Sequence, residues 1–139
     1  MKHIIAIVAM GCALTGCATR YGGAGLTGGH VDQAGPGKLQ KVDFHGNGFI
    51  ASDTVQKYAL YRCAELAKQN GKPHFVIFES LHAAATDRPA QLPRVGALGN
   101  KPSASAFMLT LDQPRNGSLQ TQAVLDELDA LVKAAPAAK

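Results

Sequence analysis

The first sixteen residues constrain this chain most, because they have the layout of an export signal and not of a folded element. Met1-Lys2-His3 is a short positively charged start, and Ile4 to Ala13 is an apolar run of ten residues. As a helix, such a run rises only about 15 Å, half of the roughly 30 Å hydrocarbon core of a bilayer. We therefore predict a secretory signal peptide that cannot span a membrane, and the fold must come from the residues after it.

The signal ends in a more specific motif. Leu14-Thr15-Gly16-Cys17 resembles the bacterial lipobox at all four positions, with small residues before a cysteine that would begin the mature protein. In proteins with this motif a diacylglyceryl group is attached to the cysteine thiol, the signal is cut before it, and the new amino terminus is acylated. The match implies that residues 1–16 are cleaved and that Cys17 carries a covalent lipid, with no other cofactor expected.

A lipid on Cys17 also predicts where the protein resides. Each buried CH₂ contributes about 0.8 kcal/mol, so several acyl chains hold a protein at a membrane effectively permanently. Ala18 follows the cysteine, whereas an Asp there retains lipoproteins at the inner membrane of enteric bacteria, so the pattern favours the outer membrane, facing the periplasm. The alternative is that Cys17 is a buried structural cysteine.

Composition limits the remainder to one modest domain. The chain has 139 residues, of which 46% are hydrophobic and 17% charged, values typical of a globular protein. The net charge of +4 is scattered along the chain, which gives no basis for a nucleic-acid partner. Cys12 leaves with the signal and Cys17 is acylated, so Cys63 remains alone and no internal disulfide is expected.

The first half of the mature chain predicts a tether, a hairpin and a helix. Residues 17–29 are so rich in glycine that we expect an acylated tether. Residues 30–33 and 38–45 flank turn residues and predict a β-hairpin. Asp53 to Asn70 predicts a helix with Ser52 as its N-cap and with Arg62 placed to pair with Glu65. The residues expected on its buried face are Val55, Ala59, Cys63, Leu66 and Ala67.

The second half predicts two strands and a helix. Phe75 to Phe78 is a continuous apolar run typical of a central strand. Ala85 to Pro102 shows no periodic pattern of apolar residues, and we predict a long loop there. Ser103 to Gln113 alternates as a strand with one strongly apolar face, and Leu119 to Ala135 predicts a helix capped by Ser118.

The order ββαββα indicates an α+β fold, a two-layer sandwich of two helices on a mainly antiparallel sheet of about four strands. We expect one domain over residues 30–135 and a tail over 136–139.

The flanks of the first predicted helix carry a family resemblance. Phe44-x-Gly46-Asn47-Gly48 and Arg62-Cys63-Ala64-Glu65-Leu66 are similar to the F-x-G-N turn and R-x-A-E-L helix of a family of small, uncharacterised bacterial lipoproteins. The resemblance covers about residues 17 to 80. It implies an envelope lipoprotein with an α+β domain and transfers no catalytic residue.

Motifs that would indicate catalysis or metal binding are weak in this sequence. His74 and His82 would be roughly 26 Å apart if both lie on one strand, too far to share a metal ion, and we expect His45 to lie some four residues out of register with His30. Gly46-Asn47-Gly48 lacks the continuation of a phosphate-binding loop and fits a strand-to-helix turn better. The sequence therefore predicts no catalytic residue and no metal ligand.

Two functional interpretations remain. The first is a membrane-anchored envelope module, interacting or structural, that binds a protein, peptidoglycan or lipid through the loop Ala85 to Pro102 or an exposed sheet edge. The second is a periplasmic hydrolase or metal-binding enzyme. A narrower possibility is covalent attachment of the terminal Lys139 to peptidoglycan.

Overall fold

The computed structural model describes residues 17–134. Leu14, Thr15 and Gly16 of the lipobox, the signal peptide and residues 135–139 lie outside the described part. The elements in chain order are β1 (Gly29–Ala34), β2 (Gln40–His45), α1 (Ser52–Gln69), β3 (His74–Phe78), α2 (Leu81–Ala85), β4 (Arg94–Leu98), β5 (Lys101–Leu111), β6 (Leu119–Gln120) and α3 (Thr121–Lys133). None of the helices in this part of the chain is long and apolar enough to cross a membrane.

The strands form one antiparallel sheet in the order β1-β2-β5-β3-β6, with β4 paired to β5. The α+β class is thus confirmed, with six strands and three helices in place of the simpler set expected from the sequence. The middle strand is β5 and not Phe75 to Phe78, because β5 is eleven residues long and borders β2 on one edge and both β3 and β4 on the other.

Helices α1 and α3 cover one face of the sheet and form the core with it. The five residues predicted to face the core from α1 are all buried, so the predicted facing is confirmed. Beneath them β5 presents Ala104, Ala106 and Met108, which are almost completely buried. Small side chains on both sides let the helix lie close to the sheet, and Phe107 and Leu109 on the opposite face of β5 are left half-buried.

Both predicted serine caps are wrong. The cap of α1 is Ala51 and that of α3 is Gln120, each without a side-chain cap hydrogen bond, whereas the Ser118 hydroxyl bonds Arg115 in the preceding turn. Leu119 and Gln120 pair with β3, and Thr121 donates from its backbone N–H to the Pro73 carbonyl at 2.9 Å. These tertiary contacts, rather than local capping, decide where α3 begins.

The predicted loop Ala85 to Pro102 is also wrong in part, because it contains β4 and the start of β5. Leu98 pairs with Lys101, and Gly99 adopts a φ of 61° in the turn between them, a conformation that glycine accepts without strain. All five residues of β4 are exposed. A strand with both faces exposed to solvent needs no alternation of apolar and polar residues, so its sequence does not indicate a strand.

Candidate functional site

The segment after Cys17 is packed against the domain and is not the free tether expected from its glycine content. Asn47 donates from Nδ2 to the Cys17 carbonyl oxygen at 2.7 Å and from its backbone N–H to Thr19 Oγ1 at 2.8 Å. Thr19 is fully buried and its hydroxyl donates to the Thr27 carbonyl. Cys17 itself is exposed, and its carbonyl oxygen is held by Asn47.

Tyr21 fastens the same segment through its ring. The ring lies 5.1 Å from that of Tyr61, 5.5 Å from that of Tyr58 and 6.1 Å from that of Phe44, centroid to centroid. These distances suit favourable aromatic packing. The hydroxyl donates to Glu65, and burial, reinforced by the Glu65 carboxylate, raises the pKa of Tyr21, so it remains a neutral donor.

A charged network joins this segment to β1 and α1. Arg62 donates to Asp32 from Nη2 at 2.6 Å and from Nε at 3.1 Å, and from Nη1 to Glu65 at 3.0 Å. The predicted pair of Arg62 with Glu65 is therefore confirmed. The second partner of Arg62, Asp32, could be found only from the fold, because the β1–β2 hairpin places Asp32 next to α1. Hydrogen bonding to Asp32 raises the pKa of Arg62, while desolvation lowers that of His30.

The residues of the family resemblance meet at this segment. Phe44 stacks on Tyr21, Asn47 binds Cys17 and Thr19, and Glu65 binds Tyr21. A side chain at Gly46 would place its Cβ 2.5 Å from Ile50 Cγ2, which explains the glycine. Both sequence motifs thus position the residues that follow the candidate lipid site, which we call the anchor clamp: Thr19, Tyr21, Asn47, Arg62 and Glu65.

The other residues considered for catalysis or metal binding do not form a common site in the described part of the chain. Burial raises the pKa of the Cys63 thiol to about 12, and Ser52 is exposed in the first turn of α1. His82 lies in α2, so the assumption that it shares a strand with His74 is wrong. His45 pairs with Gly29 and His30 with Phe44, so the two histidines are one residue out of register, not four, and point to opposite faces. Over residues 17–134 no three His, Cys, Asp or Glu side chains are grouped to hold a metal ion.

A groove lies on the sheet face that α1 and α3 leave uncovered. It has a volume of about 550 Å³, within the range of ligand pockets. It is lined by the apolar side chains of Phe78 and Leu109 and by the cationic side chains of Lys38 and Arg115. The Arg115 guanidinium is 5.9 Å from the centre of the Phe78 ring and forms a 2.9 Å salt bridge with Asp87. The other lining residues are Pro36, Leu39, Leu81, Ala84 and Ala85.

This groove was not predicted from the sequence, although a signal for it exists. Phe107, Leu109 and Leu111 make the second face of β5 apolar, which a strand needs only when both of its faces are covered. No family model, curated protein or solved structure was found to match this chain.

Proposed function

We propose that this chain is a bacterial envelope lipoprotein, anchored by lipid on Cys17 in the outer membrane, whose domain is a periplasm-facing binding module. The observation that carries the proposal is the anchor clamp, which holds the backbone of a lipobox cysteine at a fixed place on the domain. The similarity to the lipoprotein family of the F-x-G-N turn is part of the same proposal.

The lipid anchor is tested by the intact mass of the full chain, expressed in a Gram-negative host and extracted from membranes. We expect a mature chain that begins at Cys17 and carries a diacylglyceryl and an acyl group. Cys17→Ser should leave the protein unacylated and uncut, whereas the matched control Cys12→Ser should be processed normally. A lipid-free chain that begins elsewhere would contradict the proposal.

We propose that the groove is the binding site. Its ligand would be an amphiphile with one apolar chain and an anionic head. Phe78, Leu81 and Leu109 offer apolar contact to the chain. The ammonium of Lys38 has no salt-bridge partner in the described part of the chain, so it is available to an anionic head. Arg115, held by the Asp87 carboxylate, lines the same groove.

The occupant is tested with a photoactivatable fatty acid added to envelopes that contain the acylated protein. Mass spectrometry should locate the adduct on residues that line the groove. Leu81→Asp should abolish the adduct, and Leu92→Asp should not, because Leu92 has the same 45% exposure but lies outside the groove. Equal labelling of both variants would exclude this occupant.

A further inference from the structure

The lipid site and three exposed apolar side chains lie at one end of the sheet. Asn47 holds Cys17, and Phe49 follows in the same turn, its N–H donating to Asn47 Oδ1 at 3.0 Å. Leu26 lies in the turn between Gly25 and Gly28, and a Cβ on Gly28 would meet the His45 carbonyl and Thr19. These contacts place the Leu26 turn beside the same end of β2.

The hairpin between β4 and β5 brings the third side chain to this end. Leu98 lines a small pocket together with His45 and Gly46, and a Cβ on Gly48 would lie 2.5 Å from Asn100 Nδ2 in the hairpin turn. Three separate turns therefore lie at the end of the sheet where Asn47 holds Cys17, and each displays one large apolar residue. We call Leu26, Phe49 and Leu98 the apolar rim.

The rim is exposed far beyond what packing in the domain explains. Leu26 is 109% exposed, Leu98 85% and Phe49 50%. Arg20 and Lys101 are exposed beside the rim and have no salt-bridge partner among residues 17–134, while the nearby Asp53 faces Lys57 at 3.9 Å. Apolar side chains on turn tips, accompanied by unpaired cations, match the boundary between anionic headgroups and acyl chains.

We propose that the apolar rim inserts into the bilayer that holds the lipid anchor, so that the domain rests on the membrane in one fixed orientation. The inference depends on the proposed acylation of Cys17, because only that lipid places this end of the sheet at a membrane. The anchor clamp leaves no slack between Cys17 and the domain, so acyl chains that enter the bilayer bring the rim with them. The opposite end of the sheet then faces the periplasm.

The absence of tryptophan from the sequence allows a direct test with single-tryptophan reporters. Leu98→Trp, Phe49→Trp and the control Gln120→Trp are introduced into the full chain, and the acylated proteins are reconstituted into phosphatidylethanolamine and phosphatidylglycerol vesicles with brominated acyl chains. Gln120 is exposed and pairs with His74, which pairs with Leu111 at the far end of β5. Along β5 that end is about 30 Å from Lys101.

We expect the brominated lipid to quench Leu98→Trp and Phe49→Trp several-fold more strongly than Gln120→Trp. Acrylamide, an aqueous quencher, should give the reverse order. All three sites are exposed, so folding is checked by an unchanged circular dichroism spectrum. If the rim reporters are no more quenched by the brominated lipid than the control, or if they are shielded before any lipid is added because a second copy covers them, the inference is wrong.

Failure of the anchor and failure of the rim give different results. A protein that lacks lipid on Cys17 shows no acyl mass and does not float with the vesicles, which contradicts the proposed function and this inference together. A protein that carries the acyl mass and floats, yet leaves Leu98→Trp accessible to acrylamide, contradicts only the insertion of the rim.

Discussion

At the scale of single residues, Tyr21 of the anchor clamp and the two tyrosines packed against it differ in how their hydroxyl groups are hydrogen-bonded. Tyr58 is fully buried, and its hydroxyl has no hydrogen-bond partner in the described structure. The Tyr21 hydroxyl donates to Glu65, and that of Tyr61 donates to Asp129 at 3.2 Å. A buried polar group without a partner keeps its full desolvation cost, so Tyr58 is retained at a cost in stability.

Removing these hydroxyl groups one at a time should therefore change stability in different directions. We expect Tyr58→Phe to raise the free energy of unfolding by about 1 kcal/mol and Tyr21→Phe to lower it by about 1.5 kcal/mol, because the latter loses a bond to a carboxylate. Tyr61→Phe is the control and should change it by less than about 0.5 kcal/mol, because its partner Asp129 has 41% of its side chain exposed to water, which weakens the bond. Urea midpoints with unchanged slopes measure all three, and a destabilised Tyr58→Phe would mean that its hydroxyl has a partner.

His30 makes stability depend on pH. Burial lowers its pKa below the ordinary value of 6.5, helped by Arg62 and opposed by Asp32 and Glu65. The unfolded chain therefore binds the proton first, and the stabilisation is complete above pH 6.5 and is lost as the pH falls toward the folded pKa. We expect His30→Gln to flatten the stability profile just below pH 6.5, while His82→Gln, at an exposed position, leaves it unchanged; thermal midpoints across this range decide.

At the scale of elements, α1 is the structural centre because it contacts both the sheet and α3. Leu66 is 8% exposed in the core cluster, and Lys57 has 47% of its side chain exposed. Leu66→Ala should lower the free energy of unfolding by about 2 to 4 kcal/mol, since it leaves a cavity, and Lys57→Ala by less than about 0.5 kcal/mol. Denaturant midpoints compare the two, and equal effects would mean that α1 packs through another face.

The elements that could be predicted from sequence are those with a buried stripe. The 3.6-residue period of α1 exists because one face of the helix is buried. Along β5 the alternation predicts a strand, but its largest apolar side chains, Phe107 and Leu109, lie on the half-buried face, and the helices cover the opposite face. Exposed β4 and two-residue β6 have no such stripe: β4 is defined by its hairpin pairing with β5, and β6 by its pairing with β3, which is distant in sequence. The anchor clamp was missed for the same reason: glycine content suggested a tether, whereas the fixing contacts come from Asn47 and Glu65, far along the chain.

At the scale of the whole molecule, the two ends of the sheet differ. Cys17 and the apolar rim lie where β2 ends at His45, whereas the groove residues Pro36 and Leu39 lie before β2 begins at Gln40. The intervening strand is about 20 Å long. In the orientation we propose, the groove is held away from the bilayer and open to the periplasm, so the anchor and the binding surface do not compete for the same space.

The sheet should also differ in stability from edge to edge, which hydrogen exchange can measure. Strand β5 has neighbours on both edges and a buried face, so its amides should exchange only on global unfolding. Strand β4, whose five residues are all exposed, should open at a much lower free energy. Strand β1 is an outer strand of the main sheet too, but the bonds from Arg62 to Asp32 tie it to α1.

We therefore expect peptides from β1 to exchange more slowly than those from β4. Arg62→Leu should remove the difference by accelerating β1 alone, because β4 makes no contact with the charged network. Mass spectrometry of the exchanged peptides measures this, with β5 as the internal reference for global unfolding. Exchange of β1 that is unaffected by Arg62→Leu would show that backbone pairing with β2 and with Gly22 and Ala24 is sufficient to hold that edge, and that the network around Arg62 does not stabilise it.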